Sequence, residues 1–245
     1  VGIMLGNLDI STYIYLKDEP VTNSQLGITE NKIVEVPNFV TPETAESMIK
    51  YFDMLGEELW GDIAFYNSKG MGLPPDDARF KDCGLEEQFF EKLRIQYQKC
   101  VELIFNRPVR PNTSHAQKWY KGGFASPHSD NSDFDGNPTA FEINKYVGIL
   151  YLNDNYEGGE LYFRDHGIDI KPNKYSYYVF PGGVENIHGV REIKDGERYT
   201  MVSFWDFAEA EYSEERRNEW QEEFAIVREQ QKHQREEWDG GNKDA

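Results

Sequence analysis

Hydrophobic positions in this chain follow two different periods. In "TPETAESMIKYFDMLGEEL", residues 41–59, Ala45, Met48, Ile49, Phe52 and Leu55 recur at helical spacing and predict an amphipathic helix. Thr41 can cap it, and Pro42 suits its first turn, where no backbone N–H is needed. A second helix is predicted from Leu85 to about Phe105, with Phe89, Leu93, Tyr97, Val101 and Ile104 on one face. The breaker cluster "GMGLPPDD" between them predicts a loop. Ahead of the first helix "KIVEVPNF" alternates like a short strand, while residues 1–30 show no clear periodicity.

From about Lys118 the texture becomes β-like. Short runs ("AQKWY", "KYVGILYLN", "GELYFRD", "YSYYVF", "RYTMVSFW") are separated by Gly, Pro, Asn and Asp clusters, as in a sandwich or barrel. After Asp206 the chain turns strongly charged. There Trp220, Phe224 and Val227 can pin a helix to the core, and the rest reads as a solvated, fraying tail. The layout is helices first, then a β body, then a helix.

Composition narrows the functional classes. A net charge of −18 would repel a nucleic-acid backbone and leaves open a neutral or basic protein partner. The 15 Tyr and 15 Phe favour a β-rich interior. Two cysteines, Cys83 and Cys100, are too few for a disulfide framework and point to a reducing compartment. No apolar run approaches the roughly 20 residues that span a bilayer, and "VGIMLGNLDI" has no signal-peptide character. The expectation is a cytoplasmic protein (host cytoplasm if virus-encoded) that binds neither membrane nor nucleic acid.

Candidate chemistry begins at "SPHSDN", where His128 and Asp130 are two residues apart. With 5 His and 44 acidic residues in the chain, about one such pair arises by chance, so the motif alone is weak. His188, in "FPGGVENIHGV", changes the picture. Two imidazoles and one carboxylate on one face make the ligand set of a mononuclear non-haem Fe(II) site with open positions. Arg198 follows in "GERYTMVSFW", where period two places Arg198, Thr200, Val202 and Phe204 together. An arginine facing an apolar interior needs an anion, and its fork suits a carboxylate. Tyr120 and Tyr151 lie on strands that would bracket the same interior. His115, His166 and His233 have no partners at useful spacing and read as surface residues.

"KWYKGGFASPHSD", "VGILYLNDNYEGGELYF", "VFPGGVENIHGV" and "GERYTMVSFW" together resemble the core strands of the 2-oxoglutarate- and Fe(II)-dependent dioxygenases. More narrowly they resemble the prolyl 4-hydroxylase branch, to which the upstream "IVEVPNFVTPETAESMI" is also similar. The likeness covers about residues 31–207. It implies a mainly β fold with flanking helices around a double-stranded β-helix (jelly-roll) core. In that frame residues 1–30 are an N-terminal extension, 41–105 helical support, 113–207 the jelly roll and 208–245 a charged helix and tail. It implies that His128, Asp130 and His188 bind iron, that Arg198 and Tyr151 hold the distal carboxylate of 2-oxoglutarate, and that Tyr120 flanks it. Val190 falls where the family places an apolar residue near the metal. Phe204 stands where relatives usually carry Trp, with Trp205 one residue late and expected to face outward.

The resemblance further implies Fe(II), 2-oxoglutarate and O2 as cofactor and cosubstrates, with ascorbate as reductant, and a proline-containing polypeptide as substrate. Collagen-type relatives use Lys in the arginine's role and are secretory, so Arg198 favours the intracellular, bacterial or phage type. Two alternatives stand beside peptidyl-prolyl 4-hydroxylation: hydroxylation of a free amino acid or other small molecule, and a non-catalytic jelly-roll binding module that is calcium-dependent. The second is prompted by "NSDFDGNPTAFE", where Asn131, Asp133, Asp135, Gly136 and Glu142 approximate a calcium-loop spacing. The competing reading of residues 129–138 is a mobile acidic loop overhanging the metal.

Overall fold

The computed structural model describes residues 8–22, 24–63, 66, 68–72 and 78–241. Its centre is an eight-stranded antiparallel sheet. In spatial order the strands are β1 (Ile14–Pro20), β2 (Glu30–Val36), β11 (Tyr177–Pro181), β7 (Tyr146–Tyr151), β14 (Arg198–Phe207), β5 (Val109–Trp119), β4 (Ser68–Gly72) and β3 (Gly61–Ile63). A second sheet orders β10 (Ile168–Ile170), β9 (Leu161–Phe163), β12 (His188–Val190) and β6 (Ala125–His128). A short pair joins β8 (Glu157–Gly158) to β13 (Ile193–Asp195). The two larger sheets face each other as the walls of a jelly roll.

Alternation along the strands divides the core. One face of the large sheet, including Ala116, Leu150, Tyr177, Met201 and Trp205, packs on the helices α1 (Pro42–Met54) and α3 (Phe89–Phe105) through Met48, Phe52, Leu93, Tyr97 and Ile104. Each large ring buried there contributes roughly 1.5–3 kcal/mol. The other face meets the small sheet through Val147, Tyr151, Leu161, Phe163, Phe180 and Val202. Trp205 is therefore not outward in the sense of solvent. It points away from the inter-sheet space but is fully buried against the helical layer, and its indole N–H donates to Ser203.

The first helix forms as the sequence predicts, with the Thr41 side chain accepting from the Thr44 backbone N–H at 3.2 Å. The second forms as α3 but starts four residues late, after the left-handed Gln88; a short unpredicted helix, α2 (Arg79–Cys83), precedes it and stops at Gly84, whose φ is +81°. Part of the predicted "GMGLPPDD" loop is strand, since Gly70–Gly72 belong to β4; residues 73–77 lie outside the described residues. Residues 14–20, which show no apolar periodicity, pair with β2 as a mostly exposed edge strand. The C-terminal helix α4 (Glu214–Gly241) continues where a fraying tail was expected. Both cysteines are buried and neither forms a disulfide. Among the described residues no helix is long and apolar enough to cross a membrane.

Candidate active site

Strand pairing brings the sequence-distant chemistry together. β6 and β12 run antiparallel with His188 directly opposite His128, and Asp130 follows β6 by two residues. Their ligand atoms all lie within 4.8 Å of one another, the sole such group of three His, Cys, Asp or Glu among the described residues. Asp130 lies 3.3 Å from His188 Nε2 through Oδ2, and 3.8 Å from His128 Nε2 through Oδ1.

Backbone carbonyls fix the imidazole tautomers. His128 Nδ1 donates to Ser126 O at 2.8 Å and His188 Nδ1 donates to Asn186 O at 2.9 Å. A carbonyl only accepts, so each Nδ1 carries the proton and each Nε2 presents its lone pair to the centre of the cluster. Burial pushes His188 down to about 4, with His128 adding to the shift and Asp130 opposing it, so the ring is a neutral ligand at ordinary pH. Asp130 is oriented by its backbone N–H, which donates to Gly182 O at 2.7 Å.

Arg198 sits deeper in the same cavity. It is 2% exposed, lies 4.2 Å over the Trp119 ring and 5.6 Å from the Tyr151 ring, and donates through Nη1 to Gly159 O at 3.1 Å. Gly159 holds that carbonyl in place from a left-handed turn, φ +70°, that other residues strain to adopt. Among the described residues no carboxylate pairs with Arg198: Glu192 is exposed and Glu197 accepts from Tyr199. Burial accordingly lowers the guanidinium below its ordinary range and raises the Tyr151 phenol above its own.

Among the described residues a set of buried polar atoms here lacks hydrogen-bond partners: Arg198 Nε, Tyr151 Oη, Thr200 Oγ1, Trp119 Nε1 and Asp130 Oδ2. Buried polar groups are normally paired. Donors gathered around a fixed cation fit the carboxylate of a small diacid, and the His–Asp–His cluster fits a divalent metal with room for further ligands.

The cavity between the sheets measures about 900 Å3 and is lined by all three cluster residues and by Tyr151, Val190 and Arg198. Tyr120 is not among its lining residues. Alternation along β5 turns His115, Gln117 and Trp119 inward, and Tyr120 follows the strand's end with the opposite parity. Tyr66 brings a different hydroxyl to the metal side, 3.3 Å from His128 Nε2, with its ring stacked on Trp119. Parity counted back from the end of β5 could have found Trp119 and Gln117; Tyr66 carried no sequence signal.

Three further expectations change. His115 lines the cavity and stacks on Phe204, and burial pushes it down to about 4. His166 is half-buried and bonded to the Glu185 carbonyl and the Asn186 side chain; the side chain of His233 lies outside the described residues. Residues 129–138 form a braced turn: Ser129 bonds Ser132, Asp133 accepts from the backbone of Asp135 and Asn137, and Ser132 bridges Pro138. The same bonds undo the calcium-loop geometry. Asp133 closes its own turn, and Glu142 accepts from Arg216 and Trp220.

The jelly roll thus holds, in one cavity, a cluster suited to a divalent metal and a buried arginine suited to a small organic anion. Residues 114–206 match the family described as the 2OG-Fe(II) oxygenase superfamily. Among curated proteins it is similar to human prolyl 3-hydroxylase 3, 31% identical over 116 residues, covering 42% of this chain and 15% of that protein. The chain thus spans only a small part of the curated relatives it matches. Among solved structures it resembles the viral collagen prolyl hydroxylase of Paramecium bursaria Chlorella virus-1 in complex with 2OG. That match has 16% identity and a TM-score of 0.52, covering 72% of this chain and 96% of the other. It also resembles HygX of Streptomyces hygroscopicus with nickel, 2-oxoglutarate and hygromycin B bound, at 16% identity and TM-score 0.53, covering 72% and 83%.

Proposed function

We propose that this protein hydroxylates prolyl residues of a polypeptide, using Fe(II), 2-oxoglutarate and O2, with ascorbate as the reductant that keeps the iron ferrous. The observation that carries the oxygenase reading is one cavity holding both the His128–Asp130–His188 cluster and the unpaired buried Arg198. The prolyl assignment is supported by the names of the relatives above. They include both a prolyl 3-hydroxylase and a collagen prolyl hydroxylase, so the ring carbon oxidised is a matter for the assay.

In this reading His128, Asp130 and His188 hold the iron, and the two Nδ1–H···O=C bonds keep the imidazoles aimed before metal arrives. Arg198 and Tyr151, joined by Thr200 and Trp119, hold the distal carboxylate of 2-oxoglutarate. The iron with its cosubstrates supplies the oxidation, in which 2-oxoglutarate leaves as succinate and carbon dioxide and the substrate gains one oxygen atom. The chain's own contribution is orientation and the exclusion of water by Val190, Leu161 and Val202.

The test is to supply the iron-loaded protein with 2-oxoglutarate, ascorbate, O2 and capped proline peptides. Peptide-stimulated succinate, with one added oxygen on the proline ring by mass spectrometry, is the expected result. Iron-replete protein that neither forms succinate nor binds 2-oxoglutarate refutes the enzyme. A small-molecule substrate is the second reading, favoured by the likeness to HygX with hygromycin B bound; it predicts oxidation of a free compound and no response to peptides.

A further inference from the structure

The cavity is graded along its length. The register of β14 against β5 and β7 sets up rows: Arg198 beside Trp119, Thr200 between Gln117 and Tyr151, Val202 between His115 and Ile149, Phe204 beside Val147. Six residues of strand separate Arg198 from Phe204, roughly 20 Å. The only charged side chains among the described lining residues, Asp130 and Arg198, belong to the metal cluster and the inner end. From Val202 outward the walls include Phe204, Ile149, Phe141, Ile143 and Phe224, with the uncharged Thr113, and with Asn112 and Asn144 already bonded to each other at 2.6 Å. His115, held neutral by burial, adds no charge. At about 900 Å3 the cavity is at the upper end of the roughly 300–1,000 Å3 that hold drug-sized molecules, far more than a five-carbon diacid needs.

Phe224 comes from α4, otherwise a strongly polar helix. Arg216, Trp220 and Phe224 share one stripe at i, i+4 and i+8. Arg216 binds the buried carboxylate of Glu142 and, at 3.1 Å, the Thr139 carbonyl; the Trp220 indole N–H donates to Glu142 at 3.1 Å. Those contacts set Phe224 edge-on to Phe141, centroids 5.0 Å apart. Phe141 nevertheless remains 38% exposed. The pair is fixed by polar bonds and is left open toward the cavity.

We propose that this outer half is a recognition chamber for one uncharged, apolar side chain of the substrate polypeptide, next to the residue oxidised, and that Phe224 is its specificity-determining residue. The inference rests on the reading of the inner half given above. A charged side chain would lose its water here and meet no partner, whereas an apolar one removes the exposed faces of Phe141, Phe224 and Phe204 from solvent. The net charge of −18 thus draws basic partners to the surface without selecting what enters.

The test uses the full iron-loaded chain and capped pentapeptides centred on proline, with each flanking residue varied among leucine, phenylalanine, serine, aspartate and lysine. A matched set centred on alanine is tested for binding to the Mn(II)- and 2-oxoglutarate-loaded chain by calorimetry. At one flank, leucine or phenylalanine should exceed aspartate and lysine in kcat/KM by roughly 10- to 100-fold. Phe224→Ala should cut that ratio by about threefold or more, and Phe224→Leu should keep most of it. The ratio does not depend on how much of a variant is folded. Equal use of charged and apolar flanks by the parent chain overturns the chamber, as does an unchanged ratio in Phe224→Ala. Oxidised proline peptides without flank preference would refute the chamber and leave the prolyl reading standing. If no proline peptide is oxidised yet the alanine set binds with the apolar preference, the chamber stands and the prolyl reading falls.

Discussion

Replacing Arg198 by Met separates a ligand-binding arginine from a structural one, because the two make opposite predictions for the empty and the loaded protein. Among the described residues this buried guanidinium has one hydrogen bond, to Gly159 O, and no carboxylate. Losing that bond costs about 1 kcal/mol, while removing a buried charge with no counter-ion is neutral or stabilising by about 1–4 kcal/mol. Ligand-free Arg198→Met should therefore melt at or above the parent temperature. Binding of 2-oxoglutarate should weaken by about 1.5–3 kcal/mol for lost charge-assisted bonds, or roughly 10- to 150-fold. Thermal melts with Mn(II) read both effects. At 2-oxoglutarate about 100 times the parent Kd, the parent gains about 2.7 kcal/mol, or roughly 5–11 °C. A variant weakened 100-fold gains about 0.4 kcal/mol, or roughly 1 °C. A variant that melts several degrees lower when empty yet keeps the full ligand shift would refute the argument, because that is how an internally paired structural arginine behaves.

Three other perturbations test separate parts of the structure. His128→Ala, Asp130→Ala and His188→Ala should each abolish succinate formation and metal retention while leaving the β-sheet circular dichroism intact; near-parent activity in any one removes that residue from the cluster. Below about pH 6.5 the metal-free protein should lose stability as pH falls toward 4, because His115 and His188 are held low by burial and the unfolded chain binds their protons more readily. His115→Gln should flatten part of that slope in denaturant titrations at stepped pH, and an unchanged slope would show that His115 titrates freely. Gly148→Ala should destabilise by about 1–3 kcal/mol in chemical denaturation, because its methyl would overlap the Tyr177 phenol. Tyr177 cannot give way: it is bonded to Ser203 and packed between Phe39 and Tyr97.

The strands and helices that the sequence foretold are those whose two faces meet different surroundings. Helix α1 shows core to one side and water to the other, so its 3.6-residue period is clean, and Thr41 with Pro42 marks its start. β1 showed nothing because it is an exposed edge held by backbone bonds to β2, which leave no mark on side-chain chemistry. β6 and β12 were equally invisible as strands, at four and three residues, yet they carry the metal cluster. Their residues were found through chemistry and family likeness, not through period. The late start of α3 escaped because Leu85 extends the stripe of Phe89, Leu93 and Tyr97 by one turn, while the left-handed turn at Gln88 keeps the chain out of the helix until Phe89.

For the site, period two along β14 sufficed to place Arg198, Thr200, Val202 and Phe204 on one wall, because that strand is regular over most of its length. The same rule applied to β5 would have chosen Trp119 over Tyr120, and here the likeness to a family motif outweighed the parity. Motif matching tolerates a one-residue slip; a pleated strand does not, since one residue reverses the face. The acidic turn misled for a related reason. Asp133 and Glu142 fit calcium-ligand spacing, but spacing does not say which groups are already engaged, and both carboxylates are occupied by Asn137 and by Arg216 with Trp220. The Glu142 contacts are what bring α4 to the mouth of the cavity. An acid that reads as a metal ligand in the sequence thus serves to hold Phe224 in the cavity wall, a role that emerges only once helix and loop share a surface.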